Sequence, residues 1–369
     1  MRVLHVITGL GHGGAEHQLD LLLRHLPDVD CEVAVLTDAG ETATALRARG
    51  VIVHEVGMNG NRDLSALPRL TGLIRRGGYD IVHTHLYRAC VYGRIAARLA
   101  GVRTVVATEH SLGDRMIEGR RVSAGVRTLY RATEILGGMT VAVSPTVAAR
   151  LVRLGVDASR VTVIPNGIDA NAFAYDEGRR AAVRRRLGIG MDEYVIGAVG
   201  RLVDGKRYGT LVDAFSQVDA VKLLIVGDGP QRGALEDLTV RRGVAPRVIF
   251  AGERSDVAGE LSAMDVLAAP SAEETFGLAV LEGLASGLPV LYTACPALGD
   301  LDPDAAPGAR EVGPQVSAWR DALADVVRTG PTRTAPPPAV HHYDIARSAA
   351  DLARLYEALL AVHAEPALA

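Results

Sequence analysis

The sequence predicts an α/β protein made of two parallel-sheet domains. Short apolar, β-branched runs alternate with amphipathic helical stretches along the whole 369 residues. The runs are near-continuously apolar rather than alternating, as strands covered on both faces require. Twelve such runs are too many for one comfortable sheet, and a turn-rich break, Pro165-Asn166-Gly167-Ile168-Asp169, divides them. Two Rossmann-like domains joined by a linker at about 165–190 account for the pattern.

In chain order, the first series of strands is expected at 2–7, 31–36, 51–55, 80–84, 103–108, 139–143 and 161–164. The first runs into a Gly-rich turn, Thr8 to Glu16. The fourth ends on His83-Thr84-His85 and the fifth on Thr108-Glu109-His110. The charged stretch Asp176 to Arg186 follows the break. A second series is expected at 194–199, 221–226, 247–250, 265–269 and 289–291. A Pro-rich loop, Pro331 to Pro338, precedes a last helix from about Asp344 to Val362. There Ile345, Ala349, Leu352, Leu355, Tyr356 and Leu359 recur at helical spacing.

Composition narrows the classes. A formal charge of −3 gives no bulk attraction to nucleic acid or to a membrane surface. Cys31, Cys90 and Cys295 lie far apart without metal-ligand spacing, which suits free thiols in a reducing compartment. The N-terminus lacks a long apolar signal segment, and no window is apolar enough to span a bilayer, so a cytoplasmic location is expected. Lys206 and Lys222 are the two lysines among many arginines, and Ala and Gly abound, as in a GC-rich, actinomycete-like genome.

The chemistry concentrates at strand ends. Glu274 and Glu282 lie eight residues apart across Phe276-Gly277-Leu278. Glu274 falls in a loop beyond the strand at 265–269, and Glu282 roughly two turns further along, inside the next helix. The helix N-terminus between them favours an anion. Two carboxylates flanking an anion site fit a ligand with hydroxyls and phosphate, such as a sugar nucleotide. Arg201 and Lys206 follow the strand at 194–199 and suit a diphosphate, or else form a solvated charge pair. Lysine scarcity favours a specific need for the compact ammonium of Lys206. The turn Gly9 to Gly14, with Asp38 at the end of the next strand, has two readings. It is a tight turn, or a loop closing on phosphate through the N–H groups of Gly13 and Gly14. His83 and His85 share a face only if their strand continues through both, and no acidic or Cys cluster accompanies them, so no metal is expected. Asp302-Pro303-Asp304 resembles a metal-binding D-x-D but reads as a turn.

Together these segments resemble glycosyltransferase family 4, retaining enzymes of GT-B architecture in which two Rossmann-like domains face a cleft. The likeness runs through most of the chain. It includes Gly13-Gly14-Ala15-Glu16, Val82 to His85, Ala107 to His110, Val163 to Asp169, Gly200 to Lys206, Leu224 to Pro230 and Glu274 to Glu282. It implies an N-terminal acceptor-binding domain, 1–167 plus a returning helix at 344–369, and a nucleotide-sugar-binding domain at 168–343. By resemblance, Arg201 and Lys206 bind the donor diphosphate, Glu282 the ribose and Glu274 the donor sugar. Backbone N–H groups of Phe276, Gly277 and Leu278 cover phosphate or sugar, Arg254 lies near the base, and Gly14 and His110 face the anomeric carbon. The chain departs from the family pattern at Gly205, at Arg207 where glycine is common, and at Leu291 to Asp300, which replaces a Gly-Gly-x-Pro-Glu loop. The family's next Gly-Leu-Leu strand is missing.

The implied activity is transfer of a sugar from a UDP- or GDP-linked donor, with retention and with no metal or other cofactor. The acceptor is a small molecule or a glycan- or lipid-linked hydroxyl, in envelope glycan or natural-product biosynthesis. Arg62, Tyr87, Arg88, Arg115, Arg120 and Arg121 either line an anionic acceptor site or form a solvated surface. Arg184-Arg185-Arg186 is a short basic run of the kind that touches membranes. The rival readings are a nucleotide-sugar epimerase of the same fold, a nicotinamide-dependent oxidoreductase using Gly9 to Gly14 and Asp38, and a non-catalytic sugar-nucleotide-binding subunit.

Overall fold

The computed structural model describes residues 1–11, 13–114, 116–117, 120–219 and 221–364. The chain forms two compact units: Met1–Gly167 with the chain from Ile345, and Ile168–Asp344.

The first unit holds a sheet of seven parallel strands among the described residues. In spatial order they are Val53–Glu55, Asp30–Val35, Arg2–Ile7, Ile81–His85, Thr104–Glu109, Met139–Ala142 and Val161–Val163. Pleating sends successive side chains to opposite faces. Leu4, Val6, Val82 and Val105 meet helices Ala66–Gly77 and Tyr87–Ala100. Val3, Ile81, Val106 and Val141 meet Leu352 and Tyr356 of the last helix, Ile345–Ala364. Burial on both faces is why these strands read as apolar runs.

The second unit repeats the plan with six parallel strands among the described residues. In spatial order they are Val248–Gly252, Val221–Val226, Tyr194–Val199, Val266–Ala269, Val290–Tyr292 and Ala309–Glu311. Its core gathers Ile196, Leu223, Ile225 and Val266 with Leu211, Phe215 and Trp319. In both sheets, numbering strands along the chain, the order begins 3-2-1-4-5. The topological switch therefore lies between the first and fourth strands.

Three expectations need correction. A strand does follow the atypical segment: Ala309–Glu311 pairs in parallel with Val290–Tyr292. It is an edge strand carrying Arg310 and Glu311 to solvent, so no apolar run announces it. The run Arg184-Arg185-Arg186 is not a uniformly solvated one. Arg184 is fully buried, bonded to Asp265 Oδ2 at 2.8 Å and to the carbonyls of Ala263, Gly190, Met191 and Glu193, while Arg186 pairs with Glu260. The helix Glu177–Leu187 is thereby fastened to the second unit, and Arg185 and Arg186 are what the run leaves exposed. The Pro-rich loop, too, leads first into a short helix, Pro338–His342.

Candidate active site

In the second unit the loops after Val199 and after Ala269 flank the switch point, and they are laced together. Ala272 N–H donates to the Gly205 carbonyl at 3.0 Å. Lys206 Nζ donates to Glu274 Oε1 at 2.5 Å. The neighbouring loop closes on them by backbone contact: Leu202 N–H donates to Asp228 O at 2.9 Å, and Gly227 adopts φ 129° where a Cβ would strike the Gly200 carbonyl. Only glycine meets both conditions there.

Gly277, at φ 108°, caps the helix Leu278–Ala285. Its first N–H groups have no partner within the helix and point out of its end. A Cβ on Gly277 would strike Cys295 Sγ. The atypical 291–300 segment thus supports this turn from behind. The Cys295 thiol lies 3.6 Å from Phe276 O and is pushed up to about 12 by burial. Phe276 is buried edge-on against Tyr343, 5.0 Å between ring centroids, and Tyr343 OH donates to Ala297 O at 2.8 Å. Glu282, partly buried inside the helix, is pushed up to about 7 by burial, against the opposing pull of Lys206. Lys206 and Glu274 therefore form an ion pair beside a helix N-terminus, with Glu282 of that helix within the electrostatic reach of Lys206. Arg201 is exposed on the same loop as Lys206. Arg254 lies on a different loop, beyond Gly252, with its guanidinium 3.8 Å from Glu260. Arg207 takes φ 53°, which explains why glycine is common at that position.

The first unit carries a different kind of cluster. The strand Ile81–His85 continues through His85, so His83 and His85 do share a face, with ring centroids 4.2 Å apart. His5 joins them from the adjoining strand, where it is the register partner of His83. His83 Nδ1 lies 2.6 Å from Tyr356 OH and Nε2 2.6 Å from Thr108 Oγ1. His5 Nδ1 lies 3.0 Å from His85 Nε2, and His85 Nδ1 lies 3.1 Å from His110 Nε2. His5, His83 and His85 bring one nitrogen each within 4.8 Å of the others. Both nitrogens of His83 are engaged by hydroxyls, so the set as it stands is a hydrogen-bonded network. Burial holds His5 down to about 3 and His110 to about 4, with His83 and His85 also well below the ordinary range. Glu109 alternates to the other face, where its carboxylate accepts from Tyr130 OH at 2.7 Å.

His85, Thr108, His110, Asn166 and Ser348 line a small cavity in this unit. Beside it, Gln18 clamps Gly167 in both directions, at 2.8 and 3.0 Å. Gly13 caps the helix Gly14–His25. Asp38 serves the local turn: its Oδ1 accepts from Gly40 N at 3.1 Å where the chain enters the next helix. Asp302 likewise caps a turn at Asp304. Among the candidate acceptor residues, Arg62 and Arg121 are exposed, Tyr87 and Arg88 open the helix after His85, and Arg115 lies outside the described residues. Sequence reasoning missed His5, although a histidine inside an apolar strand is itself a signal.

Comparison with known proteins agrees with the architecture. A model of Glycosyltransferase Family 4 matches residues 12–172, and one of Glycosyl transferases group 1 matches 193–329. The chain is 31% identical over 251 residues to an Escherichia coli UDP-Gal:alpha-D-GlcNAc-diphosphoundecaprenol alpha-1,3-galactosyltransferase, covering 63% of this chain and 62% of the relative. It is 31% identical over 268 residues to a D-inositol 3-phosphate glycosyltransferase of Mycobacteroides abscessus, covering 69% and 60%. The matched region thus spans about three fifths of these relatives' length. The crystal structure of Anabaena HepE with UDP-glucose superposes with a TM-score of 0.83 at 23% identity, over 97% of this chain and 100% of that one. With both halves matched in order and the GT-B fold shared, the chain belongs to the family 4 type of glycosyltransferases.

Proposed function

We propose that this chain is a retaining glycosyltransferase that moves a sugar from a UDP- or GDP-linked donor to a hydroxyl acceptor, in the cytoplasm and without a metal. The observation that carries the reading is the Lys206–Glu274 pair with Glu282 around the Gly277 helix N-terminus, at the switch point of the second sheet. Arg201, Lys206 and the N–H groups of Phe276, Gly277 and Leu278 would hold the diphosphate. Glu282 would accept from the ribose hydroxyls, Glu274 would read the donor sugar, and Arg254 would lie toward the base. As the glycosidic bond breaks, charge grows on the departing diphosphate, and fixed cations and N–H dipoles lower the barrier most when they meet that charge. Lys206 would exchange Glu274 for phosphate when donor binds. The first unit, through Gly13, Gly14 and His110, would serve the acceptor side.

For the acceptor, the names of both relatives include a phosphate: a diphosphoundecaprenol-linked sugar in one and inositol 3-phosphate in the other. A phosphate-bearing acceptor of envelope glycan or natural-product synthesis fits the arginines Arg62, Arg88 and Arg121 of the first unit. No helix among the described residues is long and apolar enough to cross a membrane, so a lipid-linked acceptor would be met at the surface.

Calorimetric titration with UDP, GDP and their sugar conjugates, followed by mass spectrometry of acceptor mixtures, tests the reading. Glu282→Ala should lose affinity for free nucleotide. Glu274→Ala should keep that affinity and lose transfer, because removal of a buried acceptor costs about 1–3 kcal/mol. The reverse pattern would exchange the two roles. Donor epimerised without any acceptor would replace transfer by epimerisation, and binding without turnover would leave a sugar-nucleotide-binding subunit.

A further inference from the structure

We propose that His5, acting through His85, is a positioning residue that fixes the proton of His110 on Nδ1. The three imidazoles form a head-to-tail chain: His5 Nδ1 to His85 Nε2 at 3.0 Å, then His85 Nδ1 to His110 Nε2 at 3.1 Å. A neutral imidazole has one N–H and one lone pair, so the bond at one nitrogen dictates the state of the other. The chain therefore has two concerted arrangements. In the first, all three protons sit on Nδ1. In the second, all three sit on Nε2.

The ends of the chain decide between them. His5 Nε2 and His110 Nδ1 are both buried without a hydrogen-bond partner among the described residues. Each arrangement leaves an N–H at one end and a lone pair at the other. His5 is fully buried between the sheet and the last helix, whereas His110 is partly exposed and lines the cavity it shares with Thr108 and Asn166. A sealed N–H without an acceptor is the rarer and costlier defect. The first arrangement leaves a lone pair inside at His5 and moves the N–H to His110, beside the cavity, where a ligand oxygen can accept it. Among the described residues no carboxylate joins the chain to stabilise an imidazolium, and Glu109 faces Tyr130 on the other side of the sheet.

Neighbouring contacts hold the chain in place. His83, packed 4.2 Å from His85, is pinned at both nitrogens by Tyr356 and Thr108. The residue after His85, Leu86, is held at φ 73°, a conformation that a branched apolar residue adopts only when its surroundings impose it. Leu86 is buried with Ile7, Leu10 and Leu19, and that packing fixes the end of the strand that carries His85. His110 is thereby a directed hydrogen-bond donor rather than a free base. The catalytic use of that donor rests on the function proposed above; the tautomer does not.

The test is the ¹⁵N–¹H correlation spectrum of the full chain labelled at histidine nitrogens, with resonances assigned by single substitutions. Neutral Nδ1–H forms of His5, His85 and His110 are expected at pH 7, in place of the Nε2–H form that free imidazole side chains favour. An Nε2–H form at His110 in the native protein overturns the proposal without recourse to any variant. His5→Leu should move His110 toward Nε2–H. His5→Asn, whose amide N–H replaces Nδ1–H, should restore the native spectrum. An unaltered His110 in a folded His5→Leu protein also overturns it. The functional readout is nucleotide release from UDP-glucose or GDP-mannose, whichever the native protein turns over. His5→Leu should lower kcat at least about tenfold, as misdirected imidazoles do, with KM for the donor little changed and with rescue in His5→Asn. A shifted tautomer with unchanged kcat would uphold the relay and refute the catalytic use of His110.

Discussion

The two units share a strand order and differ in how they spend polar groups at the same topological place. At the first sheet's switch point sits a buried network of neutral imidazoles and hydroxyls: His5, His83, His85, His110, Thr108 and Tyr356. At the second sheet's switch point sits a partly exposed group of charges, Lys206, Glu274 and Glu282, around a helix N-terminus. A buried network gains direction, because each proton is dictated by its neighbours. A partly solvated charge group gains adaptability, because its ion pair can be traded for a ligand's charge. One fold thus holds a buried hydrogen-bonded network in one copy and a partly solvated ion pair in the other.

Opposite responses to pH are the largest expected consequence. The imidazoles of the first unit protonate near 6.5 when unfolded, whereas folding depresses His5 to about 3 and His110 to about 4. Below 6.5 the unfolded chain therefore binds more protons. The stability is complete above pH 6.5 and is lost as pH falls, by up to about 1.4 kcal/mol per pH unit for each imidazole. Glu282 runs the other way. Its carboxyl ionises near 4.5 when unfolded and at about 7 when folded. Its contribution is complete below 4.5 and is lost as pH rises through 7. Hydrogen exchange followed by mass spectrometry should show Ile81–His85 losing protection on acidification to pH 4.5. Leu278–Ala285 should lose protection between pH 5 and 8. A common response in both segments would break the comparison.

Next in size, Lys206→Ala should lower kcat for transfer roughly 100- to 1,000-fold, as loss of one transition-state donor does. Activity that falls in chelator and returns with Mg²⁺ would show that the clamp is not sufficient on its own. Glu282→Gln should raise thermal stability at pH 8 by on the order of 1–2 kcal/mol, allowing for partial exposure, and should change it little at pH 5. The smallest effect is expected of Tyr356→Phe, which leaves His83 Nδ1 without its hydroxyl. A loss of about 1 kcal/mol in denaturant melts is expected, with nucleotide affinity unaltered. A fall in nucleotide affinity would mean that the network and the clamp are coupled.

The division of labour was partly legible in the sequence. Strands buried on both faces announce themselves, and the charged group was readable because Lys206, Glu274 and Glu282 follow strands at fixed intervals. The edge strand Ala309–Glu311 was not, since solvent on one side removes the apolar pattern. Nor was the fate of Arg184, because an arginine satisfied by Asp265 and backbone carbonyls has the same sequence signature as a solvated one. The network in the first unit depends on pairing across strands and on a helix 273 residues further along, from His83 to Tyr356, which no local spacing encodes.

That long reach has a consequence for the order of events during synthesis. The first sheet is complete once Val163 has been made, yet Leu352 and Tyr356, which close one of its faces, come nearly two hundred residues later. At about 5–20 residues per second, the nascent chain spends on the order of 10–40 s with that face open and His83 lacking its hydroxyl. Ile168–Asp344 is contiguous and emerges whole within the same interval, so the later half reaches its finished form first. Chains ending at residue 344 and released from the ribosome should therefore show a protease-resistant second unit attached to a first unit that is still cleaved.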